Sequence, residues 1–103
     1  MKYLVIPSLG LALASGAALA QDAQQLLKEK NCLTCHALDN KVVGPAYKDV
    51  ANKYRGDKTA QAKLEEKVKK GGVGTWGQVP MPPNSQVSDA DVKTLVTWIL
   101  GLK

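Results

Sequence analysis

Both cysteines and the only histidine of this 103-residue chain fall within five consecutive residues, Cys32-Leu33-Thr34-Cys35-His36. In a helical turn, residues three apart share a face, so Cys32 and Cys35 can reach neighbouring edges of one flat group while His36 points at its centre. Three other readings compete. A thioredoxin-like redox pair wants a βαβ context, and no stretch after the first 20 residues sustains the apolar/polar alternation of a strand. A zinc site needs a second Cys/His pair, which the sequence lacks. A plain disulfide leaves His36 unexplained. The pattern C-x-x-C-H is instead the attachment site of a c-type haem, with both thiols added to the porphyrin edge and the imidazole delivered to the iron.

Export is expected as well. Lys2 is followed by an uncharged stretch from Tyr3 to Ala20, mostly apolar from Leu4 to Leu13, and Ala18-Leu19-Ala20 has the small residues a signal peptidase accepts. Its length approaches the roughly 17 to 25 residues of a membrane anchor, but Pro7, Gly10 and the cleavage site favour removal. Residues 1–20 therefore read as a cleaved signal peptide and residues 21–103 as a single domain. That domain is near the lower limit for a self-sufficient core, since chains of about 70 to 80 residues usually need a staple. It has no Phe, and only Tyr47, Tyr54, Trp76 and Trp98 supply aromatic bulk. A cofactor serving as core would supply what the side chains cannot.

The helical signals are local. Asp22 with Gln25 resembles a capping box opening a helix from about Ala23 to Asn31. Gly44-Pro45 places a proline at a first helical position, and Tyr47, Val50, Ala51 and Tyr54 follow at helical spacing, stopping near Gly56. A third helix spans Thr59 to Lys70 and ends at Gly71; its apolar stripe includes Lys63 and Lys67. Ser88 and Asp91 cap the longest helix, lined by Val92, Leu95, Val96, Ile99 and Leu102. Between the last two lies a Gly- and Pro-rich loop. The fold class is all-α, about four helices. Gly72 to Gly77 satisfies G-x-G-x-x-G, but it follows a helix and precedes prolines, so the context of a dinucleotide site is missing.

A six-coordinate iron needs a ligand on its other face. Once Met1 leaves with the signal peptide, Met81 is the only methionine, held in Val79-Pro80-Met81-Pro82-Pro83. The prolines fix φ, and Pro82 biases Met81 toward extended geometry, giving a rigid loop for a group whose iron changes charge. Methionine can also serve as a flexible gap-filler, a role for which this setting is ill suited. His/Met pairs recur in cytochromes c and raise the reduction potential.

Together, the C-L-T-C-H motif, Val43 to Val50, Gly74-Thr75-Trp76-Gly77, Val79 to Asn84 and the Trp98 helix resemble the small bacterial class I cytochromes c of the cytochrome c-551 group. The resemblance covers essentially all of residues 21–103. It implies helices wrapped around one covalently bound haem c, with Cys32 and Cys35 as thioethers and His36 and Met81 as axial ligands. It further implies that the Pro45 carbonyl holds the other His36 nitrogen, that Trp76 donates to a haem propionate and that Asn84 steadies the Met81 sulfur. Lys67 departs from the Arg that relatives can carry facing a propionate; an inward reach and snorkelling to solvent stay equally open.

The function implied is that of a monomeric periplasmic one-electron carrier, not an enzyme. Its electrons would come from a quinol-oxidising complex and go to a nitrite reductase or cytochrome oxidase. The net charge of +5, reduced by one with Lys2, is far from nucleic-acid levels, and no basic cluster interleaves with aromatics. No stable membrane insertion is expected after cleavage. Lysines around the haem edge would steer acidic partners or merely solvate the surface. The rival functions are a haem-based ligand-binding or peroxidase-like protein, which requires a displaceable Met81, and a thiol oxidoreductase, which requires two free thiols.

Overall fold

The computed structural model describes residues 23–103. The expected signal peptide and Asp22 of the first capping pair lie outside the described residues. Within them the chain forms helix α1 over residues 23–29, a 3₁₀ turn at Cys32–Thr34, and helices α2 (Tyr47–Lys53), α3 (Ala60–Lys70) and α4 (Asp89–Leu100). Among the described residues there are no strands, only two isolated antiparallel bridges, His36 with Lys41 and Gly72 with Met81. The all-α expectation is met.

The helix ends follow from local chemistry. α1 stops short of the expected Asn31 because Asn31 takes a left-handed conformation, φ 62° and ψ 23°, which asparagine tolerates better than most residues. Gln25 gives its amide to Glu29 at 2.9 Å. α2 begins later than Pro45: Ala46 is the N-cap, with extended ψ of 145°, so Pro45 lies outside the helix and its carbonyl remains free. The first amides of α2, which lack partners within the helix, donate to Ala37 O (from Tyr47, 2.9 Å) and Leu38 O (from Lys48, 3.1 Å). The segment after the cysteine motif is thereby sewn onto α2. α3 ends at Gly71 as expected, and Ser88 Oγ accepts the Asp91 amide at 3.1 Å to cap α4. α4 ends at Leu100, so Leu102 packs from beyond the helix.

α4 packs against both α2 and α3. Its buried face, Val92, Leu95, Val96 and Ile99, joins Leu27 of α1, Tyr47 and Val50 of α2, and Val87 in one cluster. Tyr47, Val50, Val96 and Ile99 of this cluster also line the cavity described below. Tyr47 meets Trp98 edge-on at 6.3 Å and His36 face-on at 4.9 Å, linking this core directly to the motif histidine.

Candidate functional site

The 3₁₀ turn folds the motif back on itself, with the His36 amide donating to Cys32 O at 3.0 Å. Val43 and Gly44 then both donate to Cys35 O, at 3.1 and 2.7 Å, drawing the following loop against the histidine. Gly44 is where this approach is closest: a β-carbon there would lie 2.5 Å from His36 Cε1. The imidazole is held between the Tyr47 ring and the Gly44-Pro45 backbone, and its Nδ1 lies 2.7 Å from Pro45 O. Since a carbonyl only accepts, Nδ1 is the donor in this contact, and Nε2 is the nitrogen left for another partner.

On the other side of the sequence, Met81 is fixed by its backbone. Its amide donates to Gly72 O at 2.7 Å and its carbonyl accepts from Gly72 at 3.0 Å. Gly71 lets the chain leave α3 with φ 75° and ψ −173°, a region essentially reserved for glycine, and a β-carbon there would strike Met81 O. The Asn84 amide is given to Val68 O (3.2 Å) and Pro82 O (3.3 Å), and the Asn84 backbone N–H also donates to Val68 O at 2.9 Å. Asn84 thus ties the loop to α3.

These segments enclose a cavity of about 210 Å³ walled mostly by apolar groups, including Val50, Leu64, Val68, Val96 and Ile99. Cys35, His36, Pro45, Lys67, Trp76 and Met81 all line it; Cys32 and Asn84 do not. Lys67 lies with its stem along Gly72 at the cavity wall, whereas Lys63, on the same stripe, points outward to Asp57 at 3.6 Å. Trp76 is 41% exposed and sits beneath the Lys53 ammonium, 5.6 Å from the ring centroid. Trp98 stands behind Tyr47 and does not line the cavity, whereas Tyr54 does. The sequence reading missed Tyr47 as the ring stacked on His36; its position on the buried face of α2 was visible, its partner was not.

Cys32 and Cys35 are not paired in a disulfide. Burial pushes the Cys32 thiol above its ordinary value, opposite to the lowered thiol of a redox-active C-x-x-C. Burial also pushes the neighbouring Tyr47 hydroxyl up, so it stays protonated across the physiological range. The lining fits a flat iron-bearing macrocycle: apolar walls for its faces, an imidazole with only Nε2 to offer, a thioether, and a thiol at the rim. What marks this cavity as the place for such a group is its lining, apolar side chains with His36, Met81 and Cys35 brought together among them.

The comparisons with known proteins agree. The cytochrome c family model matches residues 20–103. Cytochrome c-551 of Allochromatium vinosum is 62% identical over 75% of this chain and 82% of its own length. Cytochrome c-552 of Hydrogenobacter thermophilus is 51% identical over 99% of this chain and 98% of its own. The crystal structure of Nitrosomonas europaea cytochrome c552 superposes with a TM-score of 0.76 at 54% identity, covering 78% of this chain and 99% of that one. With the fold, the cavity and these likenesses in agreement, the chain belongs to the cytochrome c family, as a small class I cytochrome of the c-551 type, an electron carrier with one covalently attached haem c.

Proposed function

We propose that this cytochrome is a monomeric periplasmic carrier that passes single electrons from a quinol-oxidising complex to a terminal reductase, either a nitrite reductase or a cytochrome oxidase, and catalyses no reaction of its own. The observation that carries the reading is that His36, with Nδ1 engaged by Pro45 O, and Met81, with its backbone engaged by Gly72, line the same apolar cavity. When bound there, haem supplies an iron that cycles between ferric and ferrous states.

The chain's own residues supply position and surroundings. Cys32 and Cys35 form the thioethers, and the Cys35 carbonyl, by accepting from Val43 and Gly44, keeps the loop that orients His36 in place. Pro45 fixes the imidazole tautomer, as partners of metal-bound histidines generally do. Met81 offers its sulfur from a backbone restrained on one side by proline geometry and on the other by Gly72. Restraint of this kind keeps reorganisation small when charge changes. Lys67 and Trp76 both line the cavity and would receive the anionic edge of the cofactor, the first as a cation and the second as an indole donor. Asn84 acts on the loop through Val68 O and Pro82 O.

Carbon monoxide separates this reading from a ligand-binding haem protein. The reduced wild type is expected to resist it at neutral pH, and Met81→Ala is expected to bind it while keeping its haem. Ready binding by the wild type, or exclusion by the variant with an unchanged visible spectrum, would overturn the Met81 assignment.

A further inference from the structure

The ammonium of Lys69 grips the chain that returns from the Met81 loop. It donates to Val87 O at 2.5 Å and to Ser85 O at 3.5 Å, and lies 3.3 Å from Asp89 Oδ1. These three acceptors surround Ser88, the N-cap of α4, and Val87 beside it is only 1% exposed. Lys69 itself belongs to the last turn of α3 and does not line the haem cavity. Its side chain, about 30% exposed, therefore joins the end of one helix to the start of the next across the two ends of the segment that carries Met81.

The other bonds between that segment and α3 or the residues just after it are neutral: the Gly72 to Met81 pair, and Asn84 on Val68 O. Lys69 contributes the charged one, and hydrogen bonds with an ionised partner are roughly twice as strong as neutral ones. A shift of the segment that withdraws Met81 from the cavity runs against Gly72 on one side or Val87 on the other. The first route breaks a two-way backbone pair. The second is held by the Asn84 bonds to Val68 O and by Lys69.

We propose that Lys69 is a positioning residue for the methionine ligand: by stapling the return of the Met81 segment to α3, it sets how readily an external ligand replaces the thioether. The inference rests on Met81 being the axial ligand, and the experiment separates the two. Imidazole is titrated into the ferric holoprotein and followed by its visible spectrum, for wild type, Met81→Ala, Lys69→Met and Lys69→Arg. Met81→Ala should bind far more tightly than wild type. Lys69→Met keeps the apolar stem but no donor, and is expected to bind imidazole about tenfold more tightly than wild type, the scale of losing one charge-assisted hydrogen bond. Lys69→Arg restores cationic donors and should stay close to wild type.

Equal affinities for wild type and Met81→Ala would remove the ligand assignment itself. A resistant wild type with Lys69→Met indistinguishable from it, or with Lys69→Arg as weakened as Lys69→Met, would overturn the role of Lys69 alone. Lys69→Gln, which keeps a neutral donor on a shorter stem, is titrated where the Met variant yields too little folded protein, and must show an increase in the same direction. Urea midpoints measured alongside give a readout that a purely structural role would move while leaving imidazole affinity of the folded protein unchanged.

Discussion

His36 Nδ1 lies 2.7 Å from the carbonyl oxygen of Pro45, nine residues further along the chain, and the approach is possible because the residue between them at closest contact is Gly44. Gly44→Ala should therefore act on the histidine rather than on the loop alone. A β-carbon 2.5 Å from Cε1 and 3.0 Å from both ring nitrogens forces the ring or the loop aside. Overpacking of this kind costs about 1–3 kcal/mol, to be read as a lowered urea midpoint of the holoprotein. An unchanged midpoint and visible spectrum would mean that the ring is not confined there.

Gly71 makes the corresponding test on the methionine side. Its φ of 75° with ψ near −173° is strained for any L side chain, and the added methyl group would meet the Met81 carbonyl. Gly71→Ala is expected to cost about 1–3 kcal/mol from the backbone alone. Because the same backbone pairs with Met81, imidazole should also bind the ferric variant more tightly. A loss of stability with no change in ligand binding would show that the α3 terminus and the Met81 backbone are not coupled.

Acid should weaken the entry to α3 through Asp57. The Thr59 hydroxyl (2.6 Å) and the Thr59 amide (2.8 Å) donate to its carboxylate, and Lys63 lies nearby, so its folded-state pKa is held below the ordinary carboxylate value. A lowered folded pKa stabilises above the unfolded value, about pH 4, and that contribution is lost as pH falls through the folded value. In urea titrations the gap between wild type and Asp57→Ala should be present at pH 6 and shrink as the pH is lowered below about 4. A gap that is constant over that range would exclude the carboxylate as its source.

What the sequence revealed about this molecule depended on the range of the interactions. Ser88 with Asp91 and the glycine after α3 were legible because capping is settled within four residues. The C-x-x-C-H turn was legible for the same reason. Pro45 was misplaced as the opening residue of α2 because proline fits equally well just before a helix; what distinguishes the two is the contact of its carbonyl with His36, nine residues earlier. Likewise Lys63 and Lys67 share a stripe and are equivalent by periodicity, and only the path of the Gly72 loop leaves one at the cavity and sends the other to Asp57. The Lys69 staple had no local signature at all, since its acceptors are backbone oxygens 16 and 18 residues away.

The central claim is that residues 21–103 fold around a haem joined covalently through Cys32 and Cys35. The mass of the purified, denatured protein, made in a host equipped to mature c-type cytochromes, tests it most directly. The predicted mass is that of Gln21 to Lys103 plus one haem, retained through denaturation and lost from Cys32→Ala/Cys35→Ala. The mass of the bare polypeptide in the wild type would contradict the account.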